Sequence, residues 1–222
     1  YRELTAEVER IAAGLRALGI GKGDRLTIYM PVSPEAIMAM LATVRIGAIH
    51  SVVFAGFGAG AVAERIQASG SGLVFTADVG YRKGGEVGLT QIVHSAVEAT
   101  GDVVENVIVL RRTEGDAPST SDRELDWTEF LSRADGQDDG HVEMEANEPA
   151  YILATSGTTA KPKLAVHTHG GYQVGIHAMG RWCFGMRPDD VWWAMSDIGW
   201  VVGHSYIVYG PLLAGSATVV YE

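Results

Sequence analysis

The sequence holds a single cysteine, Cys183. No intrachain disulfide is possible, and the chain is read as a protein of a reducing compartment, the cytoplasm. It also lacks a basic excess: 17 lysines and arginines stand against 27 acids, for a formal net charge of −10. That excludes a broad cationic face for nucleic acid. The opening segment, YRELTAEVER, is charged and carries no apolar stretch of a signal peptide. Two uncharged runs, Ile46 to Ala63 and Ile198 to Tyr221, do reach membrane-spanning length. Both are interrupted by polar or helix-breaking residues, among them His50, Gly56, Gly58, His204 and Pro211. They are expected to lie in a buried α/β core, with no membrane partner.

The negative charge is confined to one place. Between Glu114 and Glu148 lie twelve acids and two bases, Arg123 and Arg133; the other 187 residues carry fifteen of each sign. The excess marks a segment rather than a partner. Hydrophobic residues make up 47% of the chain, enough for a sizeable core.

Before the acidic stretch, helix and strand patterns alternate. Leu4, Val8, Ile11, Leu15 and Leu18 recur at helical spacing, and Arg25 to Met30 reads as a strand. A helix is expected from Pro34 to Ile46, a β-rich piece at His50–Ala55, and a helix at Ala61–Ala68. Strand Leu73–Ala77, helix Leu89–Ala99 and strand Val107–Leu110 follow. After the stretch come strands Tyr151–Thr155 and Leu164–His167 and a helix over Gly171–Phe184. Strand Val191–Met195, a buried helix near Ser205–Leu213 and strand Ala217–Tyr221 complete the series. Short apolar strands between helices imply an α/β fold with a mostly parallel sheet covered on both faces. Three segments result: 1–113, the acidic connection 114–148 with one short helix near Trp127, Phe130 and Leu131, and 149–222.

Several motifs carry chemistry. Thr155-Ser156-Gly157-Thr158-Thr159-Ala160-Lys161-Pro162-Lys163 sets hydroxyls, a glycine and two lysines between two strands. Such a turn offers donors and positive charge to phosphate oxygens, though it also fits an ordinary polar turn. It is no Walker A loop, because Pro162 follows Lys161. Gly58-Ala59-Gly60-Ala61-Val62-Ala63 fits G-x-G-x-x-A, with Asp78 twenty residues beyond Gly58, the pattern of a dinucleotide-binding oxidoreductase. Tyr81-Arg82-Lys83-Gly84-Gly85 puts two cations in a glycine-bounded loop after a strand, either an anion site or a surface turn. His167, His169, His177 and His204 lack the spacing of a zinc site and are read as structural, so no metal site is expected. Trp200, between Gly199 and small apolar residues, forms either one wall of an acyl pocket or part of a core.

Taken in order, these segments resemble the AMP-forming acyl-CoA synthetases of the adenylate-forming superfamily, in the acetyl- and propionyl-CoA synthetase branch. Tyr1–Leu4 with Gly23–Arg25, Ile46–Phe57, Thr155–Lys163, His167–Tyr172 and Asp197–Pro211 carry the resemblance. It demotes the dinucleotide reading, since the family uses that segment for no nicotinamide. It implies a ligase of the cytoplasm acting on a small carboxylic acid, with Mg²⁺-bound ATP and coenzyme A. Thr155, Ser156, Gly157, Thr158, Thr159, Lys161 and Lys163 would hold the β- and γ-phosphates. Arg82, with Lys83 beside it, would meet coenzyme A; Trp200 and Val201 would border the acyl pocket. The sequence is a third of the family's length and resembles a fragment of the large N-terminal domain, with the catalytic lysine outside it. The alternatives are a dinucleotide-binding oxidoreductase domain using Gly58 to Ala63, as runner-up, and a non-catalytic nucleotide-binding module. Ala160 and Leu164 stand where the family has glycines, Gly85 where it often has a base, and Val202 where it has threonine. Ala160 is therefore expected at negative φ.

Overall fold

A computed structural model describes residues 1–114, 121–155 and 163–222. The chain runs α1 (Arg2–Ala17), β1 (Arg25–Tyr29), α2 (Pro34–Arg45), β2 (Ile49–Val52), α3 (Ala59–Ser69), β3 (Leu73–Ala77). A hairpin of β4 (Val79–Arg82) and β5 (Gly85–Gly88) follows, then α4 (Leu89–Thr100), β6 (Asn106–Leu110), β7 (Glu124–Asp126) and α5 (Trp127–Ser132). The remainder is β8 (Pro149–Thr155), β9 (Lys163–Thr168), α6 (His169–Trp182), β10 (Val191–Trp192), α7 (Val201–Gly203), a π-helical turn His204–Tyr209, α8 (Gly210–Ala214) and β11 (Ala217–Thr218).

Seven strands form one sheet in the order β7-β6-β3-β1-β2-β8-β9. All neighbours are parallel except β8 and β9, which pair antiparallel. The strands alternate between two cores because successive side chains point to opposite faces. Leu26, Ile28, Leu73, Phe75 and Ile108 pack with α1, α2 and α5. Tyr29, Val74, Val107 and Val109 pack with α3 and α4 on the other face. Burial of each such side chain contributes about 1.5–3 kcal/mol. Ser33 fixes the start of α2 by accepting a hydrogen bond from the Ala36 N–H, with Pro34 in the first turn. Among the described residues no helix is long and apolar enough to cross a membrane.

The acidic stretch does more than connect. Beyond the one short helix expected there, it supplies β7, which pairs Leu125 with Ile108 at the sheet edge. The rings of Trp127, Phe130 and Phe75 meet at 5.7–5.9 Å between centroids, worth about 0.5–1.5 kcal/mol per pair beyond area burial. Cations from the electrically balanced remainder meet the second half of the stretch. Arg16 pairs with Asp138 at 3.3 Å, Lys22 with Glu148 at 2.8 Å, and Arg45 donates to the Asp139 carbonyl at 2.9 Å. The sheet continues across residues 113/114 and 148/149, since β7 joins β6 and β8 joins β2.

Candidate functional site

In an α/β sheet, ligands bind outside the carboxyl ends of the strands, where successive connections leave toward opposite faces. That point lies around β1. The connection after β1 goes to the α2 side, whereas those after β2 and β3 go to the α3 and α4 side. A cavity of about 430 Å³ opens at this edge. Pro31 follows β1, Phe54, Gly56 and Phe57 follow β2, Arg82 ends β4, and Asp197 closes the far side.

Each wall has a local cause. Tyr29, the last residue of β1, donates its hydroxyl to the carbonyls of Phe57 at 2.6 Å and Ala55 at 3.2 Å, tying down the β2–α3 loop. Burial pushes this phenol up to about 12, so it remains a donor at neutral pH. The Arg82 guanidinium lies 5.0 Å from the Phe54 ring centroid, and that of Arg65 lies 4.4 Å from Phe57. Asp197 faces Arg82; its burial raises the carboxyl pKa, against the opposing Gly199 N–H bond at 2.7 Å and the Arg82 charge. Gly199 approaches the backbone of Phe54 so closely that a Cβ would stand 2.7 Å from its N and Cα. Trp200 therefore packs over Phe54 and Phe57, at 5.7 and 6.2 Å between ring centroids.

The sequence-predicted residues thus divide. Arg82 and the Trp200 ring converge on the Phe54–Phe57 cluster. Lys83 sits at the tip of the β4–β5 hairpin, where Lys83 and Gly84 take φ of 51° and 75°, the pattern of a two-residue type I′ turn. It is exposed, and it does not line the cavity. Val201 opens α7 and is exposed, as is Val202. Thr155 and Lys163 are paired at the open end of β8–β9, and the Thr155 hydroxyl donates to the Lys163 carbonyl at 3.3 Å. Because β8 runs parallel to β2, Thr155 lies at the same carboxyl edge as the cavity. Ser156, Gly157, Thr158, Thr159, Ala160 and Lys161, and with them the expectation for Ala160, lie outside the described residues. Leu164 is in the extended backbone of β9, where no glycine is required.

The dinucleotide pattern does not find its acid. Asp78 accepts from the N–H groups of Val79 (2.7 Å), Arg112 (2.9 Å) and Thr113 (3.0 Å) and from the Thr113 hydroxyl (2.6 Å). Burial opposes ionisation, but these bonds together hold the carboxyl below its usual range. A carboxylate so occupied is part of the scaffold, and is not available for a ribose hydroxyl.

The sequence reading missed a buried cluster of histidine and tyrosine on β2, β8 and β9. Tyr151 of β8 stacks on His50 of β2 at 5.4 Å and on His167 of β9 at 4.5 Å between centroids. His204, on the π-helical turn, lies 4.7 Å from the same ring. His50 Nε2 and the Tyr209 hydroxyl share a hydrogen bond of 2.8 Å, and Tyr172 and Ser205 one of 2.9 Å. No group of three His, Cys, Asp or Glu suited to a metal ion occurs among the described residues. Burial lowers the pKa of His50 strongly and that of His204 to about 4.

Both histidines are thus neutral when folded and protonate near 6.5 when unfolded. The unfolded state binds the extra protons, so stability is full above that value and falls as pH drops from 6.5 toward 4. The loss from His204 alone is on the order of 3 kcal/mol by pH 4. Denaturant midpoints measured at pH 7.5 and 5 will show this slope, and His204→Gln will make it shallower, leaving the part due to His50. An unchanged slope in that variant would refute the assignment. Asp78 and Glu148, whose pKa values are also lowered, act in the more acid carboxylate range.

Comparison with known proteins places this geometry. The family profile of the AMP-binding enzymes matches residues 1–222. The chain is 46% identical over 222 residues to an acetyl-coenzyme A synthetase of Methylocella silvestris, covering 100% of this chain and 34% of that one. It is 48% identical over 225 residues to a 3-hydroxypropionyl-coenzyme A synthetase of Sulfurisphaera tokodaii, with the same coverage. Among solved structures, an acetoacetyl-CoA synthetase from Streptomyces lividans superposes with a TM-score of 0.88 at 30% identity, covering 100% of this chain and 33% of that chain. The chain therefore spans about a third of the length of the relatives it matches.

Proposed function

The chain belongs to the AMP-binding enzyme family, and on that premise we propose that it is part of the large N-terminal domain of a short-chain acyl-CoA synthetase of the cytoplasm. One observation carries this reading. Two places suited to anions share the carboxyl edge of one sheet: the Arg82 cavity, and the end of the β8–β9 pair at Thr155 and Lys163. A reaction that joins two polyanions, ATP and coenzyme A, on one small acid requires two such places.

In this reaction a carboxylate oxygen attacks the α-phosphorus of ATP and pyrophosphate leaves. The coenzyme A thiolate then attacks the acyl carbon of the adenylate, and AMP leaves. Positioning and charge stabilisation carry most of such chemistry. Thr155, Ser156, Gly157, Thr158, Thr159, Lys161 and Lys163 offer hydroxyl, backbone and ammonium donors to the β- and γ-phosphates, each charge-assisted bond contributing about 1.5–3 kcal/mol. Mg²⁺ arrives with ATP as part of the substrate. Arg82 supplies the cation for the coenzyme A nucleotide, with Lys83, beside it at the hairpin tip, as the second candidate. Trp200 and Val201 face the acid. Cys183, exposed and unpaired by any disulfide, suits a reducing cytoplasm.

The test is turnover by the full-length protein with ATP, coenzyme A and a panel of acetate, propionate, 3-hydroxypropionate and acetoacetate. Thioester and AMP are expected in equal amounts, with neighbouring acids differing about 10- to 200-fold in kcat/KM per methylene. ADP in place of AMP, or ATP binding with no turnover of any acid, would overturn the proposal; the latter would instead mark a nucleotide-binding module.

A further inference from the structure

The hairpin carrying Arg82 stands apart from the seven-stranded sheet. Among the described residues, β4 and β5 form a separate two-stranded sheet, so no ladder to the seven-stranded sheet sets its direction. Its register is Arg82↔Gly85, Tyr81↔Glu86, Gly80↔Val87 and Val79↔Gly88, closed by a two-residue turn. In such a hairpin the turn-closing pair is hydrogen-bonded and the pairs alternate. The backbone groups of Gly80 and Arg82 therefore face β5, and those of Val79 and Tyr81 face outward along a free edge.

Two side chains from distant parts of the sequence occupy that edge. Arg112, just past β6, donates from Nη1 to the Val79 carbonyl at 3.1 Å. Glu222 accepts from the Tyr81 N–H at 2.6 Å. The two are joined to each other, Nη1 to Oε1 at 3.1 Å and Nη2 to Oε2 at 2.5 Å. Arg112 also lies over the Tyr81 ring at 5.3 Å. At the base of the hairpin, the four bonds to Asp78 fix the backbone of Val79, Arg112 and Thr113. The ion pair thus stands where a third strand would stand, offering a donor to the carbonyl and an acceptor to the N–H. Both side chains are about one-fifth exposed, so water competes weakly for them. Although Glu222 borders the cavity, both its oxygens are engaged, so it presents no unpaired negative charge there.

We propose that Arg112 and Glu222 are positioning residues that replace a missing strand on the free edge of β4 and aim Arg82 at the anionic end of coenzyme A. This rests on the reading of the Arg82 cavity given above. Neither residue is placed against ATP or the acid, so the first half-reaction should not depend on them.

The experiment uses the full-length protein and compares carboxylate-dependent ATP–pyrophosphate exchange, which needs no coenzyme A, with the KM for coenzyme A in overall turnover. Glu222→Ala removes the acceptor for Tyr81 and the partner of Arg112. It should raise that KM about tenfold, the scale of one partly buried charge-assisted hydrogen bond, with exchange within about twofold of the parent. Glu222→Gln keeps an acceptor for Tyr81 and should recover most of the loss; it also provides a readout if the alanine variant folds poorly. Arg82→Gln should raise the same KM by itself and add little in the Glu222→Ala background, because the two changes act on one contact. An unchanged KM in Arg82→Gln would remove the reading of the cavity. A raised KM there with an unchanged KM in both Glu222 variants would overturn the positioning role alone. Equal losses of exchange and coenzyme A turnover in Glu222→Gln would also overturn it, since they would mark general destabilisation.

Discussion

The 222-residue chain purified by itself is expected to show no carboxylate-dependent ATP–pyrophosphate exchange. The reason is the openness of the surface proposed to face the acid. Electrostatic stabilisation of a developing charge needs donors held in a site from which water is excluded. Here Trp200, Val201 and Val202 are each nearly half exposed. An acyl group against them would have solvent on its other side. The last quarter of the chain also exposes large apolar side chains: Trp182 is 81% exposed, Met195 88%, Val174 72% and Val191 73%. All four belong to α6 and the segment after it, whereas α1 to α4 bury their apolar faces in the two cores. Large apolar side chains left exposed in one stretch of the chain are expected to meet a partner surface. The isolated chain should therefore bind a hydrophobic dye and self-associate, while the full-length protein should do neither. Exchange above background in the isolated chain, followed with labelled pyrophosphate, would overturn this prediction.

Substituting alanine for Gly203 is expected to destabilise the protein by about 3 kcal/mol or more and to displace Trp200. The backbone conformation does not demand glycine, since φ and ψ of −64° and −48° are helical. On propensity alone, alanine at such a position would stabilise by about 1 kcal/mol. The sign is reversed by a close approach. A Cβ at Gly203 would collide with the carbonyl carbon and oxygen of Asp197 and stand 2.7 Å from the Ile198 Cα. These are backbone atoms, and they cannot rotate away. The same carbonyl accepts from the Trp200 N–H at 3.1 Å, and the Trp200 carbonyl accepts from the His204 N–H at 3.0 Å, so a shift would pass through the turn. Gly60→Ala, in α3 with no atom within 4 Å of the new Cβ, is the control and should be neutral or slightly stabilising. Thermal unfolding of the two variants side by side reads the difference. Similar midpoints would refute the packing argument.

Much of the fold was legible because its signals are local. The period of Leu4, Val8, Ile11 and Leu15 marked α1, and Leu73–Ala77 and Leu89 at the start of α4 agree with the observed bounds. The short hairpin of β4 and β5 was not legible. Its residues, VGYR and GEVG, lack the β-branched and aromatic density of a strand, and only the turn chemistry of Lys83-Gly84 hinted at it. β7 was hidden by its acids: Glu124 is buried, yet it is paired with Arg111 at 2.5 Å and His94 at 2.8 Å. Charge in a sequence does not reveal whether a partner will meet it after folding. The strand at His50–Ala55 ended earlier than its composition implied, because Phe54 and Ala55 turn outward to line the cavity.

The sequence by itself determined the alternation of elements, the confinement of the excess charge to residues 114–148, and the run of hydroxyl and lysine residues between β8 and β9. These depend on neighbours a few positions apart, where periodicity and composition act directly on the backbone. Tertiary structure alone decided that Arg82 lies over Phe54, that Asp78 is taken up by Thr113 and three backbone N–H groups, and that Arg112 and Glu222 meet along β4. Each of these joins residues brought together by strand order, and strand order is set by long-range pairing, which no local pattern encodes.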